Sequence, residues 1–274
     1  MVYKVKRVHD DKIYVQKKID TRQMSAAQKH DAVVEASLLA KLDYIYICKY
    51  KDSYKESNSI NIIMEYCENG DLGKYLKKQM GIHFHLEEAK IWKFFIEMSL
   101  ALHYLHSFRI LHRDIKTINM FLGKDNIIKI GDLGVAKQLK QTCVMANTMV
   151  GTPYYLSPEL CEDKPYNQKT DIWSLGCVLY ELCTFKHPFE ATNQGALIMK
   201  IVRAKFNPIP TNYSQSLKAL VDQLLQKDQK KRPGIDQVLK FDFMRERMKL
   251  YGYDIDAHHA EIAKLKSNEQ RGGA

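Results

Sequence analysis

The sequence has 274 residues, of which 45% are hydrophobic and 27% are charged, a composition typical of a globular protein with one or two domains. No apolar run approaches the roughly 18 residues of a membrane span, so we expect no membrane partner. The charged first residues are not followed by an apolar stretch, so we expect no secretory signal. Six cysteines show no C-x-x-C spacing, which argues against a disulfide framework or a zinc site and favours thiols in the reducing cytoplasm.

The formal net charge of +10 arises from 42 Lys and Arg residues against 32 Asp and Glu residues. Basic proteins often bind nucleic acids or other acidic partners. Here the positive residues are scattered in pairs and never form a run of five, which favours a solvated lysine-rich surface. We therefore expect no nucleic-acid partner.

The first quarter of the chain predicts a small β-sheet with one helix. Apolar and charged residues alternate over residues 2–8 and 13–19, which predicts two strands joined by a turn. Residues 26–42 follow a helical period, and two further strands are predicted at about 46–54 and 60–66.

From Gly70 onward, helical patterns dominate. Gly70 is also the first of the 13 glycines in the sequence. The clearest helices are predicted at 86–108 and 214–227, and short apolar segments at 119–122 and 127–130 predict a small hairpin. The sequence therefore predicts an α+β fold, with a small sheet and a larger helical part on either side of a hinge.

The hinge is predicted at about residues 65–70, and ligands often bind between two such parts. Residues 251–274 lose the helical pattern and predict a loosely ordered C-terminal tail.

The chemically informative stretch is L-H-R-D-I-K-T-I-N-M-F-L at 111–122, followed by I-G-D-L-G at 130–134. Phosphoryl transfer needs a carboxylate that accepts a hydroxyl proton, cations near the phosphates and oxygen ligands for magnesium. An isolated H-R-D or D-x-G carries little weight, because Asp and Gly are common in turns. The complete ordered set is far more specific, and it matches the signature of protein kinases.

Four side chains of this stretch meet those chemical needs. Asp114 is the candidate proton acceptor, and Lys116 adds a positive charge beside it for the transferred phosphate. Asn119 and Asp132 supply hard oxygen ligands for Mg²⁺ from two segments that flank the predicted hairpin.

Further segments resemble the protein kinase superfamily in the same order along the chain. G-T-P-Y-Y-L-S-P-E at 151–159 stands where kinases carry the A-P-E segment, and D-I-W-S-L-G at 171–176 resembles the helix that anchors the catalytic loop. K-K-R-P at 230–233 supplies Arg232, which we expect to pair with Glu159 in a buried, charge-assisted contact.

Three more segments are similar to the NIMA-related (NEK) serine/threonine kinases: M-E-Y-C-E-N-G-D-L at 64–72, K-H-P-F-E-A-T-N at 186–193 and P-I-P-T-N-Y-S at 208–214. The resemblance implies a two-lobed kinase domain over residues 1–250, with an N-lobe of about 1–66 and a C-lobe of about 70–250. It also implies that the chain uses ATP and Mg²⁺ to phosphorylate Ser or Thr residues of protein substrates.

The resemblance further implies roles for residues outside the catalytic loop. Lys17, in Y-V-Q-K, matches the phosphate-binding lysine, and Glu35 matches its partner glutamate on the predicted helix. The residues that would contact ATP are Val2, Val15, Lys17, Met64, Glu65, Cys67 and Phe121. Met64 corresponds to the gatekeeper, and we expect the Cys67 thiol in the hinge to be inert.

Regulatory and structural residues follow from the same resemblance. Thr148 matches an activation-loop phosphosite, although an ordinary solvated threonine is nearly as good an interpretation, and Arg113 and Lys137 are placed to pair with a phosphate there. Leu133 replaces the Phe of D-F-G. Four residues are predicted to hold the scaffold: Thr152, Glu159, Asp171 and Arg232.

The N-terminus departs from the kinase pattern, because the glycine-rich loop that covers the phosphates is absent. Val2 corresponds to the valine that follows this loop, so the pattern predicts a kinase fold without its first strand. Either Met1 is an internal methionine, or the protein lacks the strand. The second case favours a rival hypothesis, a pseudokinase that acts as a nucleotide-binding scaffold with little catalysis.

Family analogy also suggests cytoskeletal or cell-cycle partners, and a location that includes the cytoskeleton or nucleus besides the cytoplasm.

Overall fold

The computed structural model describes residues 1–30, 40–82, 84–132 and 153–271. Its N-terminal part contains a four-stranded antiparallel sheet in the order β1-β2-β4-β3. The strands are β1 (Val2–Lys6), β2 (Ile13–Asp20), β3 (Tyr50–Glu56) and β4 (Ser59–Glu65). The third strand thus begins four residues later than the predicted start at 46, because residues 46–48 pair with the C-terminal part instead.

The strand register places four of the sheet residues that were predicted to contact ATP on one face, together with Ile62. Val2 pairs with Lys17, Lys17 with Ile62, and Val15 with Met64. Paired residues share a face, as do residues two apart along a strand, so these five residues lie on the same side of the sheet.

The helix predicted at 26–42 begins at residue 26 with a capping box. The Ser25 hydroxyl accepts a hydrogen bond from the backbone N–H of Gln28 (3.2 Å), and the Gln28 side chain accepts one from the N–H of Ser25 (2.8 Å). These two bonds satisfy backbone donors that have no partner within the helix. Residues 31–39 lie outside the described part.

Helices form most of the larger, C-terminal part of the chain. Among the described residues they are α1 (Leu72–Met80), α2 (Glu88–Ser107), α3 (Pro158–Cys161), α4 (Gln168–Thr184), α5 (Gln194–Arg203), α6 (Gln215–Leu224), α7 (Ile235–Val238), α8 (Asp242–Leu250) and α9 (Ile255–Arg271). The predicted hairpin is present as β5 (Met120–Leu122) and β6 (Ile128–Ile130). None of the described helices is long and apolar enough to cross a membrane.

The main hydrophobic core surrounds α2 and α4, whose inward residues include the fully buried Trp92 and Trp173. Helices α4 and α6 approach closely at Gly176, where an added Cβ would lie 2.8 Å from the Leu224 Cβ. The sheet has a separate, much smaller cluster formed by Ile19, Ile60 and Ile62.

The predicted loose tail at 251–274 is wrong for most of its length, because residues 255–271 form helix α9. His258 and Ile262 of this helix are 5% exposed against the core. Between residues 255 and 267, the side chains packed against the domain are Ile255, His258, Ile262 and Leu265, and this short set that includes a histidine gives only a weak apolar pattern.

The β5–β6 hairpin joins both segments through which the chain crosses between the sheet and the helical part. At the first crossing, the Ile130 N–H donates to the Tyr46 carbonyl (2.8 Å), and the Cys48 N–H donates to the Ile130 carbonyl (2.9 Å). At the second, the predicted hinge, the Asn69 N–H donates to the Leu122 carbonyl (3.0 Å). The hairpin is therefore hydrogen-bonded to both segments that connect the sheet to the helical part.

Candidate active site

The loop before β5 is held by a buried carboxylate of α4. Asp171 Oδ2 accepts hydrogen bonds from the His112 N–H (3.0 Å) and His106 Nε2 (2.7 Å). Asp171 Oδ1 accepts from the Arg113 N–H (3.0 Å) and the Tyr166 hydroxyl (2.5 Å). Four donors from three segments therefore fix the backbone of residues 112–113 before any ligand binds.

The electrostatics of this anchor follow from its partners. Burial alone would raise the pKa of Asp171, but the hydrogen bonds from His106 and Tyr166, with the nearby His112, lower it below its ordinary value. The carboxylate therefore stays charged although its side chain is fully buried. Burial and the Asp171 charge raise the pKa of Tyr166, which keeps its hydroxyl a donor.

His112 connects the loop to the segment that carries Asp132. Its Nδ1 accepts a hydrogen bond from the Asp114 N–H (3.2 Å), so its Nε2 carries the hydrogen and donates to the Gly131 carbonyl (3.1 Å). Burial lowers the pKa of His112, which agrees with this neutral form. From sequence, His112 was identifiable only as part of the H-R-D motif, and its linking role depends on the fold.

Lys116 and Asn119, two further candidate site residues, both contact Asp114. Lys116 Nζ lies 2.9 Å from Asp114 Oδ2. Asn119 Nδ2 donates to the same oxygen (3.0 Å) and to the Asp114 backbone carbonyl (2.8 Å). Because these bonds use the amide nitrogen of Asn119, its side-chain oxygen Oδ1 is the atom suited to a metal ion.

Asp132 lies beside this group and is contacted from the sheet. The Gly131 N–H donates to the Asn119 carbonyl (3.0 Å), which brings the next residue, Asp132, close to Asn119. The Lys17 ammonium forms an ion pair with Asp132 Oδ1. This contact joins the two parts of the chain at the candidate site.

Two residues of the site have a left-handed backbone. Arg113 has φ 67° and Asp132 has φ 54°, conformations that cost a residue with a Cβ roughly 1 kcal/mol. The bond from the Arg113 N–H to Asp171 offsets the cost at the first position. The second turns the chain sharply after β6, so that the Asp132 carboxylate reaches Lys17.

Glu65 connects the start of the hinge to two neighbouring segments through a hydrogen bond and an ion pair. Its Oε2 accepts from the Lys49 N–H (3.1 Å) and lies 3.1 Å from Lys129 Nζ on β6. Of the apolar residues predicted to contact ATP, Val15, Met64 and Phe121 are half-buried. Val2 is 67% exposed, on the edge strand β1.

The predicted scaffold pair Glu159 and Arg232 forms a buried bidentate contact. Arg232 Nη1 donates to Glu159 Oε1 (2.8 Å) and Nη2 donates to Oε2 (3.1 Å). The Arg232 guanidinium also lies over the Trp173 ring, 5.0 Å from its centre. Burial would raise the pKa of Glu159, but the Arg232 charge lowers it overall.

A second, partly buried network beside the catalytic loop could not be predicted from sequence. The Tyr155 hydroxyl donates to Glu181 Oε2 (2.6 Å), and the Thr117 hydroxyl lies 3.1 Å from the Tyr155 oxygen and 3.3 Å from Glu181 Oε1. The network ties the residue after Lys116 to helix α4. Its members lie 26 to 64 residues apart along the chain, so no local sequence pattern predicts their contacts.

Several predicted residues lie outside the described part of the chain: Glu35, Leu133, Lys137, Thr148 and Thr152. Their predicted roles stay predictions.

Asn119 and Asp132 are a donor set that fits Mg²⁺. Amide and carboxylate oxygens are hard ligands, and Mg²⁺ usually takes one or two protein ligands and completes its shell with phosphate oxygens and water. Within residues 1–30, 40–82, 84–132 and 153–271, no cluster of three or more His, Cys, Asp or Glu residues is arranged to hold a metal ion. A cation held by Asn119 and Asp132 would take its remaining ligands from phosphate oxygens and water.

Comparisons with known proteins agree with this geometry. Residues 1–244 match the family model of the protein kinase domain. The chain is 44% identical to the mouse serine/threonine-protein kinase Nek1 over 247 residues, which are 90% of this chain and 20% of the relative. It is 44% identical to human Nek5 over 250 residues (91% and 35%) and 40% identical to mouse Nek4 over 261 residues (95% and 32%). The chain thus spans between a fifth and about a third of the length of these relatives.

Proposed function

The chain belongs to the protein kinase family, and we propose that it acts as a Nek-like serine/threonine kinase that transfers the γ-phosphoryl group of ATP to protein hydroxyls. One observation carries the proposal. Lys116 Nζ and Asn119 Nδ2 both contact Asp114 Oδ2, at 2.9 and 3.0 Å, on a loop anchored by the buried Asp171.

Asp114 is the proposed acceptor of the proton from the substrate hydroxyl. Two donors hold its carboxylate in one orientation, and a positioned base of this kind contributes about 10²–10⁴-fold to a rate. Lys116 lies beside the path of the transferred group, where its charge would stabilise the negative charge that develops on the phosphoryl oxygens.

ATP and Mg²⁺ are the proposed second substrate and cofactor. Asn119 Oδ1 and the Asp132 carboxylate would hold the metal ion, which when bound neutralises phosphate charge. Lys17 would exchange its contact with Asp132 for the nucleotide phosphates, and the apolar face with Val2, Val15 and Met64 would cover the adenine. The Glu35 partner of Lys17 remains part of the proposal from sequence alone.

The test is Mg·ATP-dependent phosphate transfer to a generic protein substrate rich in Ser and Thr. We expect Asp114→Asn to lower the rate about 10³-fold, because the amide cannot accept the proton. Asp125→Asn makes the same chemical change in an exposed turn and should leave the rate unchanged. Equal transfer by the protein and its Asp114→Asn variant would refute the proposal.

The pseudokinase alternative has no support from the described residues or from the comparisons. Phosphorylation of Thr148, a cytoplasmic location and cytoskeletal or cell-cycle partners stay proposals that rest on sequence and family analogy. Phosphopeptide analysis at Thr148, before and after incubation with Mg·ATP, tests the first of them.

A further inference from the structure

Two cysteines lie side by side next to the β5–β6 hairpin, close to the candidate nucleotide site. Cys48 lies where the chain leaves the segment paired with β6 and enters the sheet, and Cys67 lies in the hinge, where the chain leaves the sheet. Their Sγ atoms are 3.7 Å apart. Both belong to the free cysteines of the described chain.

The surroundings leave these sulfurs directed at each other. An added Cβ at Gly131 would lie 2.9 Å from the Cys48 Sγ and 2.8 Å from the Phe121 ring, so there is little room for the Cys48 sulfur to move away on that side. A disulfide needs an S–S distance of about 2.05 Å, so the two sulfur atoms would have to approach each other by about 1.7 Å.

The two thiols also differ from the other described cysteines in their chemistry. A hydrogen bond between them lowers the pKa of Cys67 and raises that of Cys48. Burial raises the pKa of Cys161 to about 11, and it raises those of Cys177 and Cys183 as well. Within this pair the lower pKa makes Cys67 the thiol that ionises first, and the thiolate is the reactive form.

We infer that Cys48 and Cys67 are an oxidative modification site, a dithiol that hydroperoxides convert to a reversible disulfide. The Cys67 thiolate attacks one peroxide oxygen, the O–O bond breaks, and the products are a Cys67 sulfenic acid and hydroxide, which takes a proton to become water. The Cys48 sulfur then attacks the Cys67 sulfur, the S–O bond breaks, and the leaving hydroxide takes the Cys48 proton and departs as a second water. Two thiols and one hydrogen peroxide thus give one disulfide and two waters, and the two electrons lost by the sulfurs reduce the peroxide.

The disulfide would join the two crossings between the sheet and the helical part. Both crossings already bond to the β5–β6 hairpin, through Cys48 to Ile130 and through Asn69 to Leu122. A covalent bond between them would restrict relative movement of the two parts, which kinases need for nucleotide exchange. The expected inert hinge thiol is therefore, by this inference, one half of a redox pair.

The experiment treats the full chain with hydrogen peroxide, blocks the remaining thiols and digests the protein with trypsin without reduction. Cleavage after lysine separates the two cysteines, since one peptide spans residues 42–49 and the other spans 56–74. We expect these peptides to appear joined, with a loss of two hydrogens, and to separate after dithiothreitol. The thermal midpoint of the peroxide-treated protein should rise by about 5 °C, because the bond constrains the unfolded chain.

Two variants serve as controls. Cys48→Ser removes one partner, and should abolish both the joined peptides and the thermal shift. Cys161→Ser removes a half-buried thiol on α3, and should change neither result.

The inference fails if both thiols stay open to alkylation after treatment, if either joins only to another cysteine, or if Cys67 is oxidised without forming the bond. It also fails if the bond forms but Cys48→Ser shows the same thermal shift. Neither readout requires phosphate transfer, so these results are independent of the proposed kinase activity.

Discussion

Asp114 and Lys17 approach the candidate site from different parts of the molecule, and the packing behind them differs. Behind Asp114 lies Asp171, which is fully buried within the main core around α2 and α4 and accepts four hydrogen bonds. Behind Lys17 lies a sheet whose own cluster consists of Ile19, Ile60 and Ile62. The exposed strand β1 forms one edge of that sheet.

The difference shows how the work of the site is divided. Asp114, the proposed proton acceptor, gains most from an orientation that is fixed in advance, and the hydrogen bonds of the C-terminal part favour such an orientation. For Lys17, which is proposed to contact the phosphates, the support within the described residues is the smaller buried cluster of the sheet. The two supports should therefore respond differently to substitution.

Asp171→Asn should have the largest effect, since it places an amide N–H₂ where two of the four donors now point. We expect the free energy of unfolding to fall by about 3 kcal/mol, because buried donors lose their acceptor. Phosphate transfer should fall about 100-fold, because the loop that carries Asp114 loses its anchor.

Urea unfolding and the phosphate-transfer assay measure these two effects. Asp163→Asn makes the same change at an exposed position and should alter neither. A stable Asp171→Asn variant with full activity would show that the buried anchor does not position the loop.

Lys17→Met should separate activity from stability. We expect phosphate transfer to fall about 100-fold, because a cation aimed at the phosphates is lost. The free energy of unfolding should change by less than about 1 kcal/mol, since the partner of Lys17, Asp132, is 38% exposed.

Lys18→Met is the matched control for this change. Lys18 is next in the strand, points to the opposite face and pairs with the exposed Glu56. The Lys18→Met variant should leave the rate of phosphate transfer unchanged. If Lys17→Met lowered the free energy of unfolding as much as Asp171→Asn, the proposed difference between the packing behind Lys17 and the packing behind Asp114 would be wrong.

The smallest predicted effect concerns helix α9 and pH. The Tyr44 hydroxyl lies 2.7 Å from His258 Nδ1, His258 Nε2 lies 2.8 Å from His103 Nδ1, and His103 Nε2 lies 2.9 Å from Asp236 Oδ1. Because Asp236 can only accept, each neutral ring donates from Nε2, and the Tyr44 hydroxyl donates to His258. Burial, with His103 and His259 nearby, lowers the pKa of His258 to about 3.

The sign of the pH effect follows from that shift. The unfolded chain binds a proton on His258 near pH 6.5, whereas the folded chain does so only near pH 3. The contribution of His258 to stability is therefore complete above pH 6.5 and is lost as pH falls below it, by up to about 1.4 kcal/mol per pH unit.

Urea unfolding at pH 7.5, 6.5 and 5.5 measures this loss. His258→Asn keeps an acceptor for Tyr44 but removes the titration, so we expect its stability to depend less on pH than that of the parent. His9→Asn, at an exposed position, should keep the parental dependence. Equal pH dependence in all three proteins would contradict the assigned bonding.

Much of the site could be predicted from sequence because its residues are close along the chain. Asp114, Lys116 and Asn119 lie within six residues, so the loop and the short helical turn at Thr117–Asn119 bring their side chains together. The pairing of Glu159 with Arg232, 73 residues apart, could be expected only through the family resemblance.

The fold was predictable in type but less so in its boundaries. Alternation and helical periods indicated the four strands, the hairpin and the long helices. The third strand starts late because its first residues bond to β6, and the C-terminal helix was missed because its apolar pattern is weak.

By itself, the sequence determined the α+β architecture and the chemical groups of the catalytic loop, since local period and spacing fix both. Only the tertiary structure decided which distant residues meet: His106 and Tyr166 at Asp171, His258 with Tyr44 and His103, and Cys48 with Cys67. Such contacts depend on how separate elements pack around the core, and no spacing along a single chain specifies that packing.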